Sequence, residues 1–135
     1  MKKDIPVIDI FSFGYQRSGI PAGLSEDGGG FVFDCRLLPN PGREREFAFL
    51  SGLNEEVKSY LRDYPEVEEF LNNVFRMVDG AVRSCRERGF GRLQVCFGCT
   101  GGQHRSVYCA ERLAAHLTGE GTAVRVTHLE KGIWW

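Results

Sequence analysis

The clearest sign of the architecture lies in residues 92–117, which read RLQVCFGCTGGQHRSVYCAERLAAHL. Residues 92–97 carry apolar side chains at alternate positions and predict a short strand. A glycine-rich turn follows, and the apolar spacing of residues 104–117 then predicts a helix. Because residues 123–129 have the composition of another strand, the order strand, turn, helix, strand predicts a right-handed crossover between parallel strands.

The rest of the chain adds strands and helices around this unit. The residue pattern predicts strands at residues 4–13 and 31–38, a loop at residues 14–30, and helices within residues 54–88, the longer one starting at Pro65. We therefore predict a single domain over residues 1–135. Its fold class is α/β, with a small mixed or mainly parallel sheet of about four strands and flanking helices.

The composition narrows the class of protein. Lys and Arg total 17 against 18 Asp and Glu, a formal net charge of −1, which excludes attachment to nucleic acid by bulk charge alone. No stretch has the length of a membrane span or the pattern of a secretory signal. The five cysteines form no paired zinc-binding pattern. We predict a cytoplasmic protein with reduced thiols, no metal and no cofactor.

The turn inside the opening segment carries the chemistry. Residues 98–106 connect the carboxyl end of a strand to a helix, which is where open α/β sheets bind ligands. Adjacent glycines let successive amides converge on an anion, and the start of the helix adds further N–H groups. Hydroxyl, guanidinium and imidazole side chains supply more donors for phosphate oxygens. The predicted phosphate ligands are Cys99, Thr100, Gly101, Gly102, His104, Arg105 and Ser106.

The loop differs from the common nucleotide-binding patterns. The sequence contains no Gly-Lys dipeptide, which a Walker A loop requires, and no GxGxxG fingerprint. ATP hydrolysis and dinucleotide binding therefore lack their usual signatures.

A second interpretation of the same loop is an enzyme. Five residues separate Cys99 from Arg105, and Ser106 follows, a spacing that resembles the phosphate loop of the protein tyrosine phosphatases. Cys99 would then be the nucleophile and Arg105 the phosphate clamp, because a helix start and nearby cations favour a thiolate. The general acid would be Asp34 or Asp63, which are candidates only by elimination.

Several blocks of sequence point to a family. They are residues 12–15, 19–21, 33–41, 50–53, 98–108 and 128–131. In this order they resemble the C-terminal domain of the RNase adapter RapZ family. The resemblance implies a bacterial cytoplasmic domain that senses glucosamine-6-phosphate. In the full-length family this domain also binds small regulatory RNA and presents it to a ribonuclease. The implied sugar-phosphate ligands are Thr100, Gly101, His104, Arg105 and Ser106, with Asp34 and Arg36 at the neighbouring strand end.

Further residues complete the predicted site and its partners. Asn40 and His128 are ligand-binding candidates near neighbouring strand ends. The candidate RNA surface is a basic cluster of Arg83, Arg86, Arg88 and Arg92. The family's basic tail and P-loop domain have no counterpart in the sequence, so we expect the sensor alone, with regulatory rather than catalytic output. The candidate partners are a phosphorylated amino sugar, a small RNA or a protein, and a second copy of the chain, but not a membrane.

Overall fold

A computed structural model describes residues 6–23 and 29–134. Its elements in chain order are β1 (Val7–Gly14), β2 (Gly30–Asp34), α1 (Glu55–Arg62), α2 (Pro65–Arg88), β3 (Arg92–Cys99), α3 (Arg105–Gly119) and β4 (Ala123–His128), with short 3-10 turns at Pro41–Arg43, Arg45–Phe47 and Lys131–Ile133. The predicted strand start at residues 4–5, the loop residues 24–28 and Trp135 lie outside the described residues.

The strand sequences indicate which strands are central. β1 and β3 are buried along most of their length, whereas β2 and β4 alternate between half-buried and exposed residues. This is the pattern of central strands flanked by edge strands. In the described part of the chain the strands form one four-stranded sheet in the order β2-β3-β1-β4, and every neighbouring pair is parallel. The predicted α/β class and mainly parallel sheet are confirmed.

Apolar side chains at helical spacing hold α2 and α3 against the sheet. The buried core includes Ile8, Ile10, Val67, Leu71, Val74, Val78, Val95, Leu113 and Leu117. Removing these aliphatic groups from water is the main favourable contribution to this packing. Among the described helices, none combines the length and apolar character that a membrane crossing requires.

β2 is shorter than its sequence pattern predicts. It ends at Asp34 rather than at residue 38, because the Asp34 carboxylate accepts a hydrogen bond of 2.9 Å from the amide of Arg36 and turns the chain. The amide of Leu38 then donates to the carbonyl of Cys35 over 3.2 Å and continues the turn. The predicted helical region divides into α1 and α2 at Pro65, since proline can begin a helix but disrupts its interior.

The strand register brings three strand ends to one edge of the sheet. Gly14 of β1 is paired with Cys99 of β3, and Asp34 of β2 is paired with Gly98. β3 leads directly into the turn before α3. The segments that follow β1, β2 and β3 therefore meet at the carboxyl edge, the usual ligand-binding edge of a parallel sheet.

Candidate anion-binding site

A cavity of about 220 Å³ lies at the carboxyl end of β3. Its walls are formed by Asn40, Gly42, Cys99, Thr100, Gly101, Gln103, His104 and Arg105. A neighbouring cavity of about 310 Å³ shares Asn40 and Arg105 and is also lined by Arg36, Leu37, Leu38, Pro39, Arg43 and Glu66. Most of the predicted phosphate loop thus faces one space, together with Asn40, while Arg36 faces the second. Gly102, Ser106, Asp34 and His128 line neither cavity.

Arg105, the first residue of α3, lies where the two cavities meet. The residue is 5% exposed, and its Nη1 donates to the carbonyls of Arg36 at 2.6 Å and Leu38 at 3.1 Å. Its Nε is buried and has no hydrogen-bond partner among the described residues. A buried donor on a charged group is costly when it is left unsatisfied. Arg105 lines both cavities, so an anion bound in either of them would lie beside its positively charged side chain.

His104 presents a hydrogen-bond acceptor to the same cavity. Its Nε2 lies 2.9 Å from the carbonyl of Phe47, and because a carbonyl only accepts, Nε2 carries the proton. Burial lowers the pKa of His104 below its ordinary value, so the ring is neutral at pH 7 and Nδ1 keeps its lone pair. The Nδ1 edge lies beside Gly42, where an added Cβ would come within 3.3 Å of it.

Gln103 attaches the loop to the segment before α1. The side-chain Nε2 donates to the carbonyls of Ala48 at 2.9 Å and Leu50 at 2.7 Å. The main-chain carbonyl of Gln103 accepts from the amide of Gly52 at 2.9 Å. These contacts hold the wall that carries His104. The residue pattern did not single out Gln103 as a site residue. Its position inside the glycine-rich turn was the one feature of the sequence that indicated a role at the site.

Gly102 shapes the back of the loop rather than its cavity face. Its φ is +71°, and an added Cβ would lie 2.5 Å from Cγ of Glu130 and 2.6 Å from the amide nitrogen of Gly14. Only glycine adopts this conformation at such a close approach without strain. The indole nitrogen of Trp134 donates to the Gly102 carbonyl at 2.9 Å and covers this side of the turn.

Glu130 is a buried carboxylate that the residue pattern alone did not single out. It is 1% exposed and accepts hydrogen bonds from the amides of Gly14 and Ser18, both at 3.0 Å, and from the Ser18 hydroxyl at 2.8 Å. These bonds fix the chain that leaves β1 against the loop. Nothing in the spacing of a single glutamate after the last strand indicates such a role.

Asp34 and Arg36 form an ion pair at the end of β2. The guanidinium of Arg36 binds both carboxylate oxygens of Asp34, with a shortest distance of 2.6 Å, and its Cζ lies 3.8 Å from the centre of the Tyr15 ring. The main-chain carbonyl of the same residue accepts from Arg105, so Arg36 links the end of β2 to the start of α3. Hydrogen bonding from Arg36 lowers the pKa of Asp34 below its ordinary value.

The Cys99 thiol is buried beside Ser106 and donates a hydrogen bond to the Ser106 hydroxyl over 3.2 Å. Cys99 also lines the cavity with Arg105, so the two residues of the enzyme alternative share one space. Asp34, with its lowered pKa, carries no proton to donate at neutral pH. Asp63 follows the last residue of α1 and lines neither cavity.

His128 is held by contacts away from the cavity lining. Its Nδ1 lies 2.6 Å from the Ser12 hydroxyl and its Nε2 lies 2.8 Å from a carboxylate oxygen of Glu111. The ring centre is 6.0 Å from that of Trp134. These contacts stabilise the junction of β1, β4 and α3.

The arginines predicted as an RNA surface lie in different surroundings. Arg83 and Arg86 line a cavity of about 360 Å³ that also contains two carboxylates. Arg88 faces another cavity, and Arg92 lies 3.8 Å from the carboxylate of Asp9. Neither of these two cavities is lined by all four arginines.

The parallel sheet and the loop at its carboxyl edge define an α/β domain with a cavity suited to an anion. The model of the RapZ C-terminal domain matches residues 6–132, and the chain belongs to that family. The chain is similar to a "Nucleotide-binding protein" of Thermotoga petrophila, with 41% identity over 90% of this chain and 41% of that protein.

Other relatives have the same name and show a similar extent of matching. The one from Pelobacter propionicus is 43% identical over 93% of this chain and 42% of its own length. The one from Dinoroseobacter shibae is 41% identical over 91% of this chain and 39% of its own length. The chain spans about two fifths of the length of these curated relatives.

Proposed function

We propose that this chain is a non-catalytic sensor or adapter domain of the bacterial cytoplasm that binds a phosphorylated amino sugar of the glucosamine-6-phosphate type. The observation that carries the proposal is the buried guanidinium of Arg105, whose Nε has no partner among the described residues and which lies in the wall of the cavity that Asn40 and His104 also line. Membership of the RapZ C-terminal domain family supports a regulatory or adapter role.

The phosphate group would bind at the loop before α3. The residue preceding the helix, His104, makes no side-chain cap, which leaves amides at the helix start available to an anion. Gly101 has open space where a Cβ would stand, so the ligand can approach the backbone closely. Arg105 adds a fixed positive charge with unsatisfied donor capacity.

The remaining lining suits the hydroxyl and amino groups of the sugar. The unprotonated Nδ1 of His104 accepts from a hydroxyl or an ammonium group. The Asn40 side-chain oxygen already accepts from the amide of Gly42 at 2.9 Å, which leaves its NH₂ group to donate. Glu66 supplies a carboxylate in the adjoining cavity. A ligand with one phosphate and one ammonium group matches this combination of charges.

Calorimetry and thermal unfolding with glucosamine-6-phosphate test the proposal. We expect binding and a raised melting temperature, with a smaller effect for glucose-6-phosphate and none for glucosamine, which lacks the phosphate. Arg105→Gln should remove most of the effect, whereas Arg62→Gln, a change of an exposed arginine on α1, should not. No response to any phosphorylated sugar up to millimolar concentration would overturn the proposal.

Because Arg105 also holds the carbonyls of Arg36 and Leu38, the fold of each variant is checked by circular dichroism. Arg105→Lys provides a second variant that keeps the positive charge but loses the guanidinium geometry. We expect it to fold and to bind the sugar phosphate weakly.

The presence of Cys99 and Arg105 in one cavity favours a cysteine-dependent phosphatase as the second candidate. An aryl phosphate assay separates the two functions. The sensor proposal predicts no turnover and predicts that Cys99→Ser still binds the sugar phosphate. Turnover by the wild type that disappears in Cys99→Ser would establish the enzyme instead.

We propose that a small regulatory RNA or a protein reads the ligand-bound state. A gel shift with structured RNA at near-physiological salt, lost when Arg83, Arg86, Arg88 and Arg92 are neutralised together, would identify RNA as the partner. Binding that appears only at very low salt would count against RNA as the partner. Sedimentation with and without the sugar phosphate tests whether a second copy of the chain is that partner.

A further inference from the structure

Asp79, His116 and Glu120 form a cluster of metal-ligating side chains between α2 and α3. The His116 Nε2 lies 3.0 Å from each carboxylate oxygen of Asp79 and 2.9 Å from Oε1 of Glu120. One ligating atom from each residue can be chosen so that all of them lie within 4.8 Å of one another. His116 and Glu120 are one helical turn apart on α3, and Asp79 approaches from α2.

Three carboxylate oxygens converge on one nitrogen of His116. His116 Nε2 carries at most one hydrogen, yet three carboxylate oxygens surround it at 2.9 to 3.0 Å. A single N–H can point at only one or two of them. The cluster brings one imidazole nitrogen and two carboxylates together in a small volume, which is a set of ligands that a divalent cation can bind.

We propose that Asp79, His116 and Glu120 bind a divalent first-row transition metal, with Zn²⁺ as the best match. One imidazole nitrogen with two carboxylates is a ligand set that suits zinc and its neighbours, whereas Mg²⁺ and Ca²⁺ prefer oxygen ligands alone. Donors at about 2.0–2.2 Å from a tetrahedral zinc lie roughly 3.3–3.6 Å from one another. The observed nitrogen–oxygen distances need only a small expansion to reach that range.

The surroundings of the cluster favour a bound ion with an open coordination position. The His116 ring is stacked on Phe75, with ring centres 4.3 Å apart and planes 4° apart, which limits rotation of the ligand. Asp79 and Glu120 also line a cavity of about 360 Å³ with Arg83 and Arg86. Three protein ligands leave room for a fourth, a water molecule or an anion, and the two arginines would attract the anion.

The metal site is separate from the anion-binding site. His116 lies eleven residues beyond Arg105 on the same helix, which is roughly 16 Å along the axis at 1.5 Å per residue. A metal held by residues of α2 and α3 would fasten these helices together. It would therefore stabilise the folded chain whether or not a sugar phosphate binds at the other end of α3.

Cobalt titration of the chelator-treated, dialysed chain tests the site. Co²⁺ should give visible d–d bands, without the near-ultraviolet charge-transfer band that a thiolate ligand produces, and Zn²⁺ should displace it and raise the melting temperature. Asp79→Asn and Glu120→Gln keep the side-chain shapes and should weaken metal binding by at least about tenfold. A loss of this size is typical even of residues that contact a metal ligand without binding the metal, so loss of a ligand should cost at least as much. Glu69→Gln, an exposed change on α2, should bind as the wild type does.

Three results would contradict the proposed metal site. Failure of the wild type to bind Zn²⁺, Co²⁺ or Mn²⁺ up to millimolar concentration would overturn the proposal. So would unchanged affinity in both Asp79→Asn and Glu120→Gln, or a thiolate charge-transfer band, which would assign the metal to the cysteines. These readouts do not use the sugar phosphate, so they are independent of the outcome at Arg105.

Discussion

The Nη1 atom of Arg105 donates a hydrogen bond of 2.6 Å to the main-chain carbonyl of Arg36. Arg36 is itself paired with Asp34 and lies over the ring of Tyr15. The first residue of α3 is therefore linked to the turn after β2, where Leu37 is 98% exposed. A ligand that engages Arg105 would act directly on this surface turn.

Gly102→Ala should destabilise the fold far more than Gly101→Ala. The φ of +71° at Gly102 and the 2.5 Å approach of an added Cβ to Glu130 predict a cost of at least about 1–3 kcal/mol. At Gly101 an added Cβ meets nothing within 4 Å, so alanine should fit. Urea unfolding measures the difference, and equal midpoints for the two variants would contradict this account of the loop.

Glu130→Gln should destabilise the protein by about 1–3 kcal/mol. Its carboxylate accepts from two amides and one hydroxyl. Glutamine can keep its oxygen for the two amides and donate from its NH₂ group to the Ser18 hydroxyl, but it loses the negative charge that strengthens these hydrogen bonds. Glu46→Gln, an exposed change in a 3-10 turn, is the matched control and should leave stability unchanged. The free energy of unfolding of both variants provides the comparison.

His104 should make the stability of the wild type pH-dependent. Burial lowers its pKa in the folded chain, so between the folded pKa and the ordinary value of about 6.5 the unfolded chain binds more protons. The neutral ring therefore contributes fully to the free energy of unfolding at pH values above the ordinary pKa. This contribution is lost as the pH falls towards the folded pKa.

The variant His104→Gln isolates this effect from the carboxylates that also titrate at low pH. We expect the difference in free energy of unfolding between the wild type and His104→Gln to shrink between pH 7.5 and about 5. Chemical denaturation at several pH values measures it. A difference that stays constant over this range would show that the folded state does not favour the neutral ring.

Asp34→Asn should weaken ligand binding with little effect on stability. Asp34 and Arg36 are about half exposed, and exposed ion pairs contribute little to stability. Loss of the carboxylate would nevertheless free the Arg36 side chain and loosen the carbonyl that Arg105 contacts. Calorimetry with glucosamine-6-phosphate should show reduced affinity at an unchanged unfolding midpoint. Asp63→Asn serves as the control, and equal affinities of the two variants would contradict the linkage.

The sequence pattern is a good guide to the secondary structure near the site. Glycines placed between an alternating apolar segment and a helical one locate the loop before α3, and proline locates the start of α2. The end of β2 was predicted four residues too late, because residues 35–38 remain rich in apolar side chains. Their turn depends on side-chain hydrogen bonding by Asp34, which hydrophobic periodicity does not contain.

The order of residues along the chain predicts which residues form the loop, but it does not predict what each of them contacts. Gly102 shapes the turn instead of lining the cavity, and Ser106 lies outside the cavity lining, where its hydroxyl accepts a hydrogen bond from the Cys99 thiol. Glu130 and Gln103 support the loop through contacts with segments far away in sequence, and the residue pattern does not show these contacts. The Asp79 and His116 pair bridges two helices across 37 positions, a separation that no local spacing rule detects.

The difference between what the residue pattern predicted and what only the structure showed has a physical cause. Hydrophobic periodicity, glycine placement and helix starts act between near neighbours in the chain, so they were sufficient to predict the α/β fold and the glycine-rich turn before α3. The orientation of Arg105 and the tautomer of His104 depend on carbonyls of residues 36, 38 and 47, which reach them through strand order and register. Those partners are separated from the loop by more than fifty residues. Only folding brings these groups to the same edge of the sheet.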